Sequence, residues 1–329
     1  MVGVVAILQR SGLKPGPLLH LLVFAPAMLL CLSFAKHPVR FALGLGVLFI
    51  ASSFYTGPFG HILHTDRSFF GVYRVTDNED GKYRILFHGS TNHGMQSLAA
   101  ANRLEPLSYF TRSGPVGQVF SAFTGTEILQ HVAIIGLGGG SMACYGERGQ
   151  QFTFYEIDPV IERIARDARY FTFLRDCSPK VDVILGDARL SLNKAPNRSY
   201  GLIVLDAFGS DAIPVHLLTR EAINLYLAKL TDHGVLVFHI SNRYLDLQPV
   251  LGTVAKDAGL SCLAEDDNKV SETDIRNGKF PSRWSVMART KDDLGILARD
   301  PRWVSQAARP GARVWRDDFS SVLRALNWN

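Results

Sequence analysis

Residues 131–141 read His-Val-Ala-Ile-Ile-Gly-Leu-Gly-Gly-Gly-Ser. An apolar run that passes directly into a glycine-rich turn predicts a buried strand feeding a helix through a tight loop. The pattern then repeats without the glycines. Strands are expected at 131–135, 151–156, 181–185, 201–206, 235–241 and 284–290, with helical stretches near 141–147, 159–170, 219–230 and 247–258. Alternation of this kind builds a mostly parallel, doubly wound sheet with helices on both faces, an α/β Rossmann-like fold. Such sheets bind ligands in the crevice beyond the carboxyl ends of their strands, so the informative residues are those that follow each strand.

The glycine loop supplies Gly136, Gly138 and Gly140, with Ser141 opening the next helix. Its backbone can approach a ligand closely, and the helix N-terminus favours electron-rich groups. The second strand ends in Glu156-Ile157-Asp158. An acid about twenty residues past such a loop suits ribose hydroxyls, which selects Glu156 and leaves Asp158 to cap the helix starting at Pro159. The third strand ends in Gly186-Asp187-Ala188. Asp187, with Ala188 beside it, overhangs the crevice and can accept a hydrogen bond from an adenine amino group or cap the next helix. The fourth strand runs into Asp206-Ala-Phe-Gly-Ser-Asp211. A carboxylate there can hold a cationic amine and take its proton, with Asp206 central and Asp211 supporting; the alternative is a loop held by Asx turns.

Charge separates the rest of the chain from this module. The 329 residues carry a net charge of +5, which invites a nucleic-acid reading. The first acid, however, is Asp66; before it stand only Arg10, Lys14, Lys36 and Arg40, and the remainder is nearly neutral. The basicity thus belongs to an apolar, acid-free N-terminus, a membrane-type signature rather than a nucleic-acid footprint. Two apolar helices are expected at about 18–35 and 39–57, reading as a membrane hairpin that anchors the chain; a signal peptide and buried helices of a soluble domain are the rivals. Arg10 and Lys14 balance Lys36 and Arg40, so orientation is nearly tied. Residues 69–76 and 82–88 alternate around Asp77-Asn78-Glu79-Asp80-Gly81 and predict a β-hairpin. The domains expected are therefore an N-terminal segment 1–65, a small β-rich domain 66–125 and the Rossmann-like domain 126–329. Cys31, Cys144, Cys177 and Cys262 stand far apart and are expected as isolated buried thiols. Glu265-Asp266-Asp267 is expected as a solvated loop, with an amine-attracting lip as the alternative. His88, His93 and His239 lie near the expected mouth without metal-ligand spacing, so no metal site is expected.

In this order the strand-end segments resemble the class I methyltransferase fold, and more narrowly the spermidine synthase (polyamine aminopropyltransferase) family in its membrane-fused branch. The resemblance is carried by Arg67-Ser-Phe-Phe-Gly-Val, by His88-Gly89 to His93-Gly94-Met-Gln96, by Asp206-Ala-Phe to Asp211-Ala-Ile-Pro, by His239-Ile-Ser-Asn-Arg-Tyr-Leu-Asp246 and by Trp315-Arg-Asp-Asp-Phe-Ser320. It covers roughly residues 67–320. It implies transfer of an aminopropyl group from decarboxylated S-adenosylmethionine to putrescine or a related amine, in a catalytic domain on the cytoplasmic side. It also implies that Gln96, with Asn92 as alternative, lies near the donor, that Tyr109 and Tyr244 line the substrate mouth, and that the chain forms a homodimer. The family loop GGGDGG carries an aspartate where this chain has Gly139, and its DSSDP motif spaces its acids more closely than Asp206 and Asp211. Methyl transfer from ordinary S-adenosylmethionine, or a nucleoside- or polyamine-binding module without catalysis, are the alternative functions.

Overall fold

The computed structural model of the chain describes residues 17–53, 60–209, 213–242, 244–308 and 311–326. The chain divides into two compact units, residues 1–63 with 76–79 and residues 64–75 with 80–329.

In the first unit, helices α1 (Pro17–Ser33) and α2 (Pro38–Ser53) are 17 and 16 residues long. At the usual rise this is about 25 Å of helix, against ~30 Å of hydrocarbon in a bilayer. Among the described residues no helix is long and apolar enough to cross a membrane. The expected first span stops early because the chain turns at once, with Phe34 N–H donating to Cys31 O at 3.1 Å and His37 N–H to Phe34 O at 2.7 Å. Of the expected second span, residues 54–57 lie outside the described residues. Cys31 is buried facing Gly44, whereas Leu29, Leu30, Leu43, Val47, Phe49 and Ile50 are exposed.

A four-stranded sheet follows the order β1 (His61–Arg67), β2 (Val72–Asp77), β3 (Tyr83–His88) and β4 (Thr91–Ser97). The expected hairpin is its centre, β2 and β3. Strand β4 reads Thr-Asn-His-Gly-Met-Gln-Ser and gives no apolar alternation, yet it pairs antiparallel with β3 and buries Gly94 to Ser97.

The second sheet has eight strands: β5 (His131–Ile135), β6 (Gln151–Glu156), β7 (Lys180–Leu185), β8 (Tyr200–Leu205), β9 (Leu230–His239), β10 (Ser261–Asp267), β11 (Ser282–Ala288) and β12 (Val304–Ser305). Their order is β12-β10-β11-β9-β8-β5-β6-β7. From β9 to β7 all pairs are parallel, and β11, β10 and β12 complete the sheet antiparallel. The order reverses at β5 and β8, which makes that pair the switch point where a crevice opens. The strand period of two explains why both faces are covered. Val132 and Ile134 join one core with Leu202, Val204, Val235 and Val237, while Ala133 and Ile135 join the other with Ile203, Leu205, Leu236 and Phe238. Helices α3 (Pro115–Ala122), α4 (Pro159–Arg166), α5 (Ala188–Asn193), α6 (Arg220–Lys229) and α7 (Gln248–Asp257) accompany this sheet.

Two expectations are corrected here. Glu265, Asp266 and Asp267 are the end of β10, not a solvated loop. Glu265 is buried because Gln118 on α3 donates from Nε2 to its Oε1 at 2.9 Å, while Asp266 pairs with Arg283 and Asp267 with Lys279. Those partners are distant in sequence, so the acidic run gave no sign of them. Cys144 and Cys177 form a disulfide with Cα atoms 5.0 Å apart, whereas Cys31 and Cys262 are free and buried. The β5–β6–β7 crossovers bring the turn of helix after the glycine loop against the short helix Phe173–Asp176, a proximity that a separation of 33 residues does not reveal.

One buried cation holds an edge of the fold. Lys229 donates from Nζ to Asn193 O at 3.0 Å, Ala195 O at 2.7 Å and Asn197 Oδ1 at 2.8 Å. Lys229→Met keeps the stem packed but strands three acceptors. It is expected to lower stability by about 2–4 kcal/mol in urea unfolding; a change under about 0.5 kcal/mol would mean that water replaces the ammonium.

Candidate active site

The carboxyl ends of β5, β6, β7 and β8 bring Gly136, Glu156, Asp187 and Asp206 to one edge of the sheet. Gly136 has φ +100°, and a Cβ there would lie 2.3 Å from the carbonyl oxygen of Asp206. The glycine is what lets the loop and the end of β8 pack at the switch point. Asp206 N–H donates to Ile135 O at 2.8 Å, fixing the start of the loop that follows.

Glu156 is buried and its two oxygens are spent on backbone: Oε2 accepts from Leu137 N–H at 3.0 Å and Oε1 from Asp158 N–H at 2.9 Å. Burial raises its pKa to about 6, against the lowering effect of those N–H donors. A carboxylate has about four acceptor sites, so ribose hydroxyls still find capacity. Asp158 caps α4, accepting from Val160 N–H at 2.9 Å, and takes the Ser68 hydroxyl on its other oxygen. Asp187 caps α5 through Leu190 N–H at 2.9 Å, and its Oδ2 lies 3.3 Å from His216 Nε2.

Two cavities open here. The smaller, about 150 Å³, is lined by Gly136, Glu156, Asp187 and Ala188 together with Tyr73 and Phe208. The larger, about 440 Å³, is lined by Asn92, Tyr109, Ser241, Asn242, Asn268 and Arg283 among others. Asp206, His93, Gly138 and Phe208 line both. Among the described residues of the larger cavity, Asp206 is the only carboxylate. Tyr109 is brought to it because Ser108 is pinned by backbone bonds, donating to Gly278 O at 2.6 Å and accepting from Phe280 N–H at 3.1 Å.

Burial raises the Asp206 carboxyl pKa, and the adjacent His239 pulls it back down. His239 Nδ1 lies 2.6 Å from Asp206 Oδ1, and Nε2 lies 2.8 Å from Ser241 Oγ. The imidazole stacks on Trp284 with centroids 4.4 Å apart. The sequence places His239 near the mouth and does not single out Ser241. The signal present was the spacing His239-Ile-Ser241, which puts both side chains on one side of an extended chain.

Other expected site residues lie elsewhere. Gln96 is buried away from both cavities: its Nε2 donates to Arg103 O at 3.0 Å and Thr172 Oγ1 at 2.9 Å, and its Oε1 accepts from Thr172 N–H at 3.1 Å. Its polar atoms are all engaged in bracing β4, and the neighbouring Asn92 is the one that reaches a cavity. Gly140 and Ser141 pack behind the loop, Gly140 against Leu174. Tyr244 is 54% exposed and lines neither cavity. Asp211 lies outside the described residues. Among the described residues no group of three His, Cys, Asp or Glu can hold a metal ion.

A nucleoside seated in the smaller cavity would carry a pH signature. Ribose hydroxyls donate better to an ionised carboxylate than to a neutral acid. Affinity for a nucleoside such as adenosine should therefore be near its full value at pH 7.5 and weaken as pH falls through the Glu156 pKa of about 6. Calorimetry at pH 7.5 and 5.0 should read a loss of roughly three- to tenfold; equal affinities would remove Glu156 from the ribose.

No family model matches the chain. A curated polyamine aminopropyltransferase from Vibrio vulnificus is 39% identical over 186 residues, covering 54% of this chain and 58% of that one. The match thus spans little more than half the length of that relative. Among solved structures, a probable spermidine synthase from Corynebacterium glutamicum superposes with TM-score 0.56 at 14% identity, covering 78% of this chain and 97% of that one. A spermidine synthase from Thermotoga maritima gives TM-score 0.50 at 14% identity, covering 73% and 76%. At those identities the likeness is one of fold, the mostly parallel methyltransferase-like sheet.

Proposed function

We propose that this chain, which fits the polyamine aminopropyltransferase (spermidine synthase) family in its matched sequence and its fold, transfers an aminopropyl group from decarboxylated S-adenosylmethionine to putrescine or a related small amine. The observation that carries the reading is Asp206 lining both cavities, one suited to a nucleoside and one to an acceptor.

In this reading Glu156 takes the ribose hydroxyls, Asp187 the adenine amino group, and the loop of Gly136 and Gly138 the space around the sulfonium. The amine arrives protonated and gives one proton to Asp206. Its nitrogen then attacks the carbon next to the sulfonium; the N–C bond forms, the C–S bond breaks, and its electrons stay on sulfur as neutral 5′-methylthioadenosine. Asp206 contributes by accepting the proton at a raised pKa and by anchoring the amine, while Tyr109 and Phe208 keep the meeting point dry. Asp211, five positions on in the sequence, is the proposed second acid. Donor recognition is tested by calorimetry of the full chain with decarboxylated and ordinary S-adenosylmethionine. Tighter binding of the decarboxylated donor, with release of 5′-methylthioadenosine when putrescine is added, is expected. Tighter binding of the carboxylated donor would favour the second reading, methyl transfer, for which the absence of an acid at Gly139 is the specific observation.

Anchoring to a membrane through residues 1–65 is part of the same proposal, with the catalytic domain on the cytoplasmic side. It is supported by the acid-free sequence and by the exposed apolar residues of α1 and α2. A homodimer is supported by the family resemblance.

A further inference from the structure

We infer that His239 is a positioning residue that keeps Asp206 ready as a base, and that Ser241 fixes the tautomer in which it does so. The catalytic consequence rests on the aminopropyl-transfer reading; the hydrogen-bond argument does not.

The direction of the chain of bonds follows from its two ends, a backbone N–H that can only donate and an ionised Asp206 carboxylate that can only accept. The backbone N–H of Arg283 donates to Ser241 Oγ at 2.8 Å. The serine keeps its own proton, which it can give to His239 Nε2 at 2.8 Å. With Nε2 accepting, a neutral imidazole carries its proton on Nδ1, and Nδ1–H donates to Asp206 Oδ1 at 2.6 Å. The ring has little freedom to leave this arrangement. It is buried, stacked on Trp284 with an interplanar angle of 14°, and flanked by Phe208 at 4.9 Å and Tyr109 at 5.2 Å. His239 and Trp284 are direct partners across β9 and β11, so the sheet itself sets the stack.

A buried carboxylate with no donor beside it takes up a proton and is then no base. His239 opposes that by donating to one oxygen, which leaves Oδ2 for the amine. The order Asp–His–Ser has the connectivity of a hydrolytic triad, but the roles are reversed: the acid lines both cavities. Ser241 Oγ already accepts an N–H, which makes it a poorer nucleophile.

Other charged and titratable groups face Asp206 from the neighbouring elements. His93, Tyr109 and Arg283 line the larger cavity with it, Arg283 being paired to Asp266. Glu156, Asp187 and His216, with Tyr73, His88 and Tyr155, line the smaller. All remain in the variants below, so differences between variants report His239 and Ser241.

The test follows the Asp206 carboxyl by ¹³C NMR of the aspartate-labelled full chain as pH is varied, beside the pH profile of turnover. His239→Ala should raise the Asp206 midpoint by about one unit or more and lower turnover at neutral pH by about a hundredfold. His239→Asn, whose amide N–H can replace Nδ1–H, should bring turnover back to within roughly tenfold of the unmodified chain and remove most of the shift. Ser241→Ala should raise the midpoint by a smaller step, with a few-fold loss of rate. A purely structural role would lower thermal stability in all three and leave the midpoint where it was. A midpoint unchanged within about 0.3 units in His239→Ala, or no rescue by His239→Asn, overturns the inference. Where His239→Ala fails to fold, the shift in Ser241→Ala decides. If the unmodified chain turns over no amine, the aminopropyl reading fails while the carboxyl titration still decides this one.

Discussion

Asp206→Asn should lower turnover by about a thousandfold, the range of a lost general base, while binding of 5′-methylthioadenosine stays within about threefold. The asymmetry follows from the bonds around the residue. Asparagine Oδ1 still accepts from His239 Nδ1–H, so the stack on Trp284 and the loop beyond β8 are preserved. In the proposed reaction, what is lost is the capacity to take a proton from the amine. The pH profile gives the sign. Burial raises the Asp206 pKa, so activity in the unmodified chain is present above that pKa and is lost as pH falls through it, earlier than for an ordinary aspartate. In Asp206→Asn that acidic limb should vanish and leave a low, flatter rate. A loss of less than about tenfold would remove Asp206 from the role of base.

The second large effect is expected at Gly136→Ala, which should cost about 3–5 kcal/mol in stability and weaken nucleoside binding by about thirtyfold or more. The backbone there has φ +100°, which side chains with a Cβ rarely adopt, and the new methyl would lie 2.3 Å from Asp206 O. Neither side can yield easily. Gly136 N–H donates to Tyr155 O at 2.9 Å, and Asp206 N–H to Ile135 O at 2.8 Å. Relief must come from separating β5 and β8 at their carboxyl ends, which moves Asp206 away from the rest of the smaller cavity. Denaturant unfolding and calorimetry read the two parts separately. A variant within about 1 kcal/mol of the parent, binding normally, would show that this junction deforms without cost.

The strand ends were legible because the rule behind them is local. His131-Val-Ala-Ile-Ile followed by glycine predicts β5, and a parallel sheet sends every such strand to the same edge, so Glu156, Asp187 and Asp206 converge there. What stayed hidden depends on partners far away. Strand β4 carries too few apolar residues to announce itself, and it is a strand because β3 supplies the ladder. Gln96 looked like a donor ligand, yet Thr172 and Arg103 use its amide. The acids of β10 read as solvent-facing until Gln118, Arg283 and Lys279 arrive from other elements. The place of His239 is legible and its bond to Asp206 is not, since nothing in the sequence says that the end of β9 lies beside the end of β8.

The room around Gly139 bears on how the loop can change. A Cβ at 139 would already sit 3.4 Å from the Phe171 ring and 3.7 Å from Gly94 Cα, and a Cβ at 94 would come within 2.8 Å of Gly139 N. From an acidic loop of the GGGDGG type, a single replacement reaches the present glycine. The reverse replacement meets only ordinary van der Waals contact at its first carbon, so an acid can return to this position without rebuilding the loop. In the proposed reaction, donor preference can therefore be exchanged at this one position while the frame around it stays as it is.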